Sequence, residues 1–207
     1  TDPVVHAYAI TARRCGFHRE HLVAFFSSMR ADLTQREYSP SELQAYIYGS
    51  AEAIGLLCLQ IFLAEEDVSP ADRAAMERGA RALGSAFQKI NFLRDLSEDS
   101  STLGRTYFQQ VQSGRIDEAT KSALIAEIRR ELATAALTID LLPASARVGV
   151  SAAADIFAEL TNRLAATPAT ALATTRVSVP NHTKAWLAAR AVRRRGHSSR
   201  TSATGEN

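Results

Sequence analysis

Cysteine is scarce in this chain, and so are glycine and proline, with 2, 10 and 6 residues among 207. Two thiols, Cys15 and Cys58, both in apolar or helical surroundings, exclude a disulfide framework and read as reduced core residues of a cytoplasmic protein. Few breakers, with few β-branched runs and an abundance of alanine, leucine and arginine, make strands improbable and helices the main element. A formal charge of +2 gives no global case for nucleic acid as a partner. The longest apolar run, from Ala53 to Ala64 and interrupted by Gln60, is too short to span a bilayer. No dinucleotide-binding glycine motif, serine or cysteine nucleophile, or metal-ligand spacing among His6, His18, His21, His182 and His197 stands out. What remains is 46% hydrophobic, enough to bury one substantial core.

Helical periodicity and caps divide the chain. Asp2-Pro3 opens a helix carrying Val4, Val5, Tyr8, Ala9 and Ala12, which Gly16 ends. A second runs from His18 through Leu22, Phe25, Phe26 and Met29. Ser39-Pro40 with Glu42 opens a third, apolar nearly all round through Ile61 and therefore central. Ser69-Pro70 with Asp72 caps a long helix. Two amphipathic helices follow at roughly Asp117 to Leu141 and Ala144 to Ala165. A loose Ala/Thr segment, an extended piece from Arg176 to Pro180 and a basic helix from about Thr183 to Arg195 complete the pattern. Residues 1–195 read as one body, and the polar tail 196–207 as lacking structure.

The most informative stretch closes the long helix. Asn91, Asp95 and Asp99 recur every four residues, one helical turn, with Gln88 on the same side. Stacked on one face, an amide and two carboxylates form a ladder of hard oxygen donors suited to Mg²⁺, which keeps several waters and usually meets a phosphorylated substrate. The alternative is a solvated face closed by ion pairs such as Arg94 with Glu98. Small and apolar residues just before the ladder (Ala80, Ala82, Leu83, Gly84, Ala86, Phe87, Ile90) favour a helix buried on most sides, where acids need partners.

Several pieces together resemble the squalene and phytoene synthase family. Tyr46 to Gly55 resembles its YxYxxAxxxG helix, Gly84 to Asp99 its second aspartate-rich motif LGxAFQxxNxLRDxxED, Gly104 to Tyr107 its GRxY element, and Arg176 to Val179 with Lys184 its RVxV…K stretch. The resemblance implies an all-α isoprenoid synthase fold, a helical bundle around a central apolar cavity with diphosphates held at its mouth through Mg²⁺ or Mn²⁺. It implies a prenyltransferase of the phytoene synthase type. Two geranylgeranyl diphosphates would condense head to head through prephytoene diphosphate to phytoene, in carotenoid biosynthesis. The rivals are squalene or dehydrosqualene synthesis from farnesyl diphosphate, and a non-catalytic helical homologue serving in assembly.

By the same likeness, Asn91, Asp95 and Asp99 hold metal. Gln88, Asn91, Arg105, Arg176 and Lys184 hold the substrate diphosphate, and Tyr46, Gln88 and Arg105 serve catalysis. Two departures accompany it. The first aspartate-rich motif would fall before Thr1, so the chain is expected to be an inactive fragment by itself, and Phe157 stands where relatives often carry tyrosine. The expected location is cytoplasmic, with peripheral contact at the inner face of the cell membrane through Trp186, Leu187, Ala188, Val192 and neighbouring arginines.

Overall fold

The computed structural model describes residues 2–96 and 115–201, with side chains to Arg194. Helices follow one another as α1 (Pro3–Arg14), α2 (Arg19–Thr34), α3 (Pro40–Ile47), a π-helical turn (Tyr48–Glu52), α4 (Ala53–Phe62), α5 (Pro70–Arg94), α6 (Glu118–Ile139), α7 (Ala144–Ala166), a short α8 (Ala169–Leu172) and α9 (Asn181–Thr201). The expected all-α architecture is what the described residues form, and they include no strand.

The starts follow the caps in the sequence. Asp2 Oδ1 accepts from the Val4 and Val5 N–H groups, Ser39 and Glu42 form a reciprocal capping box, and Ser69 Oγ accepts from Asp72 N–H. Each satisfies donors that the first helical turn leaves open. Gly16, at φ +63°, ends the first helical segment in a conformation other residues enter at a cost.

The third predicted helix is α3, the π turn and α4 in continuity, Pro40–Phe62 over 23 residues. Although the apolar run alone is short, this whole helix is long and apolar enough to cross a membrane. It lies instead against α2 on one side and α5 on the other, as a core helix of the bundle. Its contact with α5 is close because small residues meet. A Cβ on Gly84 would stand 2.6 Å from Ala51 O, and one on Gly55 2.6 Å from Ala80 O, both backbone atoms that cannot step aside. Ala51 and Gly55 of the YxYxxAxxxG segment thus form a packing seam with Ala80 and Gly84. Gly84→Val is expected to cost about 2 kcal/mol by overpacking, read as a lowered urea midpoint with an unchanged slope; an unchanged midpoint would show the seam to be loose.

The largest core cluster joins α5, α6 and α7 through Ile90, Leu93, Ile125, Ile128, Leu160 and Leu164. Two expectations need correction. The regular helix bearing the ladder ends at Arg94, so that Asp95 caps it rather than lying within it. Cys58 is exposed, not a core residue, because its side of α4 faces an open trough; Cys15 is half-buried, and both are free thiols. The last helix is described to Thr201. The Ala/Thr segment also holds α8, whose Ala169 and Leu172 are buried in the main core. On the apolar face foreseen for α1 no residue is fully buried: Ala9 and Ala12 are half-buried, and Val4 and Val5 strongly exposed.

Candidate active site at the end of an apolar trough

Between α4, α5, α6 and α7 lies an apolar trough of about 570 Å³. Ile54, Gly55 and Cys58 line it from α4, Met76, Ala80, Leu83, Gly84 and Phe87 from α5, Thr138 and Ile139 from α6, and Gly149, Val150 and Ala153 from α7. The α5 positions recur at three- and four-residue steps, so one stripe of that helix is the floor. Small residues create the space. At the far end Phe87 stacks on Phe157, with ring centroids 3.8 Å apart and planes at 18°. Phe157 thus backs the Phe87 end of the apolar wall from the core side, a packing role that needs no hydroxyl.

Asn91 follows Phe87 by one turn on the same stripe. Its Oδ1 is buried and has no hydrogen-bond partner among the described residues. Leaving such an acceptor unpaired costs roughly 1–3 kcal/mol, so Asn91 Oδ1 stands among the described residues as an open acceptor beside the trough. Asp95 comes one turn later, and its N–H still donates to Asn91 O at 2.9 Å, although it is the capping residue with φ −99° and ψ 10°. A carboxylate at a helix C-terminus opposes the macrodipole. Two arginines offset this: Arg94 Nε donates to Asp95 Oδ1 at 2.9 Å and Arg176 Nε to the same oxygen at 3.0 Å.

Burial pushes the Asp95 carboxyl up, but the hydrogen bonds and charge of Arg94, then Arg176, outweigh it and hold the group below the usual carboxylate range. A depressed folded-state value means that this carboxylate stabilises the fold above its unfolded value of about 3.9, and that the contribution is lost as pH falls through the lower folded value. Asp95→Asn is therefore expected to lower unfolding free energy near neutral pH and to converge with the parent at strongly acidic pH. A deficit that persisted unchanged in acid would contradict this origin.

The remaining candidates separate. Gln88 is half-buried on α5. Tyr46 does not line the trough; it packs against Tyr38 and Phe92, with ring centroids 5.1 and 6.2 Å away, and its hydroxyl donates to Asp32 Oδ1 at 2.8 Å. Arg176 reaches the ladder from the segment before α9, whereas Lys184 is exposed on the first turn of α9. Asp99 and Arg105, with Glu98, the proposed partner of Arg94, lie outside the described residues.

A buried ion cluster beside the ladder escaped sequence reasoning. Lys89, almost fully buried on α5, donates to Glu127 Oε1 at 2.6 Å and to Glu131 on α6, which also accepts from Ser85 Oγ at 2.9 Å. The legible signal was a pair of four-residue spacings, Ser85 with Lys89 and Glu127 with Glu131, on two apolar-faced helices.

The squalene/phytoene synthase family model matches residues 1–183 of the chain. The chain belongs to the squalene/phytoene synthase family. Among its relatives, a chloroplastic phytoene synthase 3 of Zea mays is 43% identical over 86 residues, covering 40% of this chain and 19% of that protein. A bifunctional lycopene cyclase/phytoene synthase of Phycomyces blakesleeanus is 32% identical over 149 residues, covering 61% and 24% respectively. The chain thus spans a quarter or less of the length of these curated relatives. The crystal structure of a squalene synthase from Alicyclobacillus acidocaldarius superposes with a TM-score of 0.53 at 17% identity, over 80% of this chain and 64% of that one. That likeness shows the isoprenoid synthase fold. The family is of prenyltransferase type, binds prenyl diphosphates and generally uses divalent metal ions.

Proposed function

We propose that this chain carries the prenyl diphosphate site of a phytoene synthase. The reaction is head-to-head condensation of two geranylgeranyl diphosphates through prephytoene diphosphate to phytoene, with release of diphosphate at each stage. The observation that carries the reading is collinearity: the apolar stripe of α5 and the unpaired Asn91 oxygen lie on one helix face, trough first and polar end second. From Met76 to Asn91 the stripe runs about 22 Å at 1.5 Å per residue. A long prenyl chain fits such a trough, with its diphosphate at the ladder.

The donors present fit a hard dication. Asn91 Oδ1 is unpaired, Asp95 is held ionised, and a site with one or two protein carboxylates completed by water and substrate phosphates is what Mg²⁺ or Mn²⁺ takes. Asp99 joins them in this reading. The ion supplies neutralisation of charge on the departing diphosphate. The chain's own residues do the rest. Arg176, already on Asp95 and more than half exposed, turns its remaining N–H groups to phosphate oxygens; Arg105, Lys184 and Gln88 add donors. The apolar walls limit the water around the allylic carbons, and Phe87, backed by Phe157, offers an electron-rich face to developing positive charge. Tyr46, tied to Asp32, is assigned to the polar end and not to the trough.

Farnesyl diphosphate is the alternative substrate, leading to squalene or dehydrosqualene. The specificity-setting positions on the central helix are Ile54, Gly55 and Cys58, since Ala53 and Leu57 are buried away from the trough. Product analysis after expressing the gene-encoded full-length protein beside a geranylgeranyl diphosphate source is expected to give phytoene. Squalene-type products from farnesyl diphosphate alone would favour the alternative, and no product from either would support a non-catalytic homologue.

A cytoplasmic protein touching the membrane surface suits so apolar a product, but α9 is largely committed elsewhere. Leu187 and Ala191 are buried, and Arg190 and Arg194 both pair with Asp155 of α7, which leaves Trp186, Val192 and Arg193 outermost. Liposome co-sedimentation of the parent and of Trp186→Ser measures what that reduced surface contributes.

A further inference from the structure

Away from the trough, the fold gathers a second set of donor atoms that the spacing of the histidines does not reveal. His18 precedes α2 and His21 lies in its first turn, with their rings stacked at 5.5 Å and 29°. Glu20 stands between them. One imidazole nitrogen from each histidine and a Glu20 carboxylate oxygen all lie within 4.8 Å of one another, the one such trio of His, Cys, Asp or Glu groups among the described residues. Both histidines are held from outside α2. Gln60 of α4 accepts the His18 N–H at 3.4 Å and donates to Gly16 O at 3.0 Å, fixing the turn that carries His18. His21 is buried, with Nδ1 3.0 Å from Tyr48 Oη in the π turn.

We propose that His18, Glu20 and His21 form a binding site for a borderline transition-metal dication of the Zn²⁺ class, distinct from the Mg²⁺ ladder. Two imidazoles and one carboxylate are a donor set that Zn²⁺ takes with a fourth position left to water, whereas Mg²⁺ prefers oxygen alone. When His21 donates its Nδ1–H to Tyr48 Oη, the lone pair stands on Nε2; an oriented outer partner of this kind fixes the ligating tautomer. The α2 N-terminus and the Arg81 guanidinium oppose a cation here. Glu20 supplies one charge against them, Glu77 a second nearby, and Arg81 is itself paired with Glu52 at 2.8 Å. Bound there, the ion ties the turn after α1 to the start of α2.

The test is calorimetric titration of the metal-stripped protein with Zn²⁺, repeated in excess Mg²⁺. Co²⁺ serves as a spectroscopic probe of four-coordinate nitrogen and oxygen ligation. One Zn²⁺ per chain is expected, undisturbed by Mg²⁺ and retained in the Cys15→Ser/Cys58→Ser variant. His18→Ala and Glu20→Gln, both at exposed positions that the fold does not need, are expected to weaken binding well beyond tenfold. Tyr48→Phe should weaken it by about tenfold, the loss typical of an outer partner. Failure of the parent to bind, loss of binding in the cysteine variant, or equal affinity in His18→Ala and Glu20→Gln would each overturn the site.

Discussion

Asn91→Leu, made in the gene-encoded full-length protein, is expected to raise thermal stability while lowering kcat/KM by about 10²–10³-fold, the cost of removing one group aimed at developing charge. The two effects have one origin. Oδ1 is a buried acceptor that the fold leaves unpaired, so an apolar isostere of similar volume removes a desolvation penalty of about 1 kcal/mol or more. A residue whose job is packing loses stability when changed; a residue held ready for a ligand loses function and frees the fold from its cost. Thermal unfolding with and without Mg²⁺ and a prenyl diphosphate separates the cases. Asn91→Leu should gain stability in the bare protein and forfeit the ligand-induced rise that the parent shows. A variant both less stable and fully active would remove Asn91 from the site.

Lys89→Met carries the largest expected loss of stability. It leaves Glu131, and with it the half-exposed Glu127, facing apolar surroundings without their cation, and breaking such a pair typically costs about 3–5 kcal/mol, the lower end applying where one partner meets solvent. Burial pulls the Lys89 ammonium down, but Glu127 and Glu131 outweigh it and raise it above its ordinary value. A raised folded-state value gives stability fully present below the unfolded value of about 10.4 and lost as pH rises through the folded value. The parent should weaken in strong alkali for this reason. Burial also pushes the Glu131 carboxyl up, so in Lys89→Met a proton taken up on acidification relieves the unpaired charge. The deficit of the variant should therefore be greatest near neutral pH and shrink toward pH 5 in urea titrations; a pH-independent deficit would point to lost packing alone.

Helix starts and the interior long helices were legible because caps and 3.6-residue periodicity are local signals. Ser39-Pro40 with Glu42 and Ser69-Pro70 with Asp72 mark α3 and α5 to the residue. The ladder was legible as a spacing but not as a shape. The stop of the regular helix at Arg94 was not legible, because the Asp95 carboxylate there is offset by Arg94 together with Arg176, and the latter comes from 81 residues away. Tyr46 read as a ring facing an apolar site, yet its partners Asp32 and Phe92 come from α2 and α5, and only the packing of three helices decides which way the hydroxyl turns. Lys89 belongs to the same class, since its carboxylates sit about 40 positions on. Cys58 shows the converse error: an apolar neighbourhood in sequence suggested burial, and small neighbours such as Gly55 and Ala80 left an open trough beside it.

The central claim is that the Asn91 end of the trough holds a metal-bound prenyl diphosphate. Its most direct test is calorimetric titration of the full-length protein with a non-hydrolysable geranylgeranyl thiodiphosphate, with Mg²⁺ present and with Mg²⁺ chelated. Binding that requires Mg²⁺ and is lost in Asn91→Leu is the predicted result; binding of equal strength without the ion, or undiminished by the substitution, would contradict it.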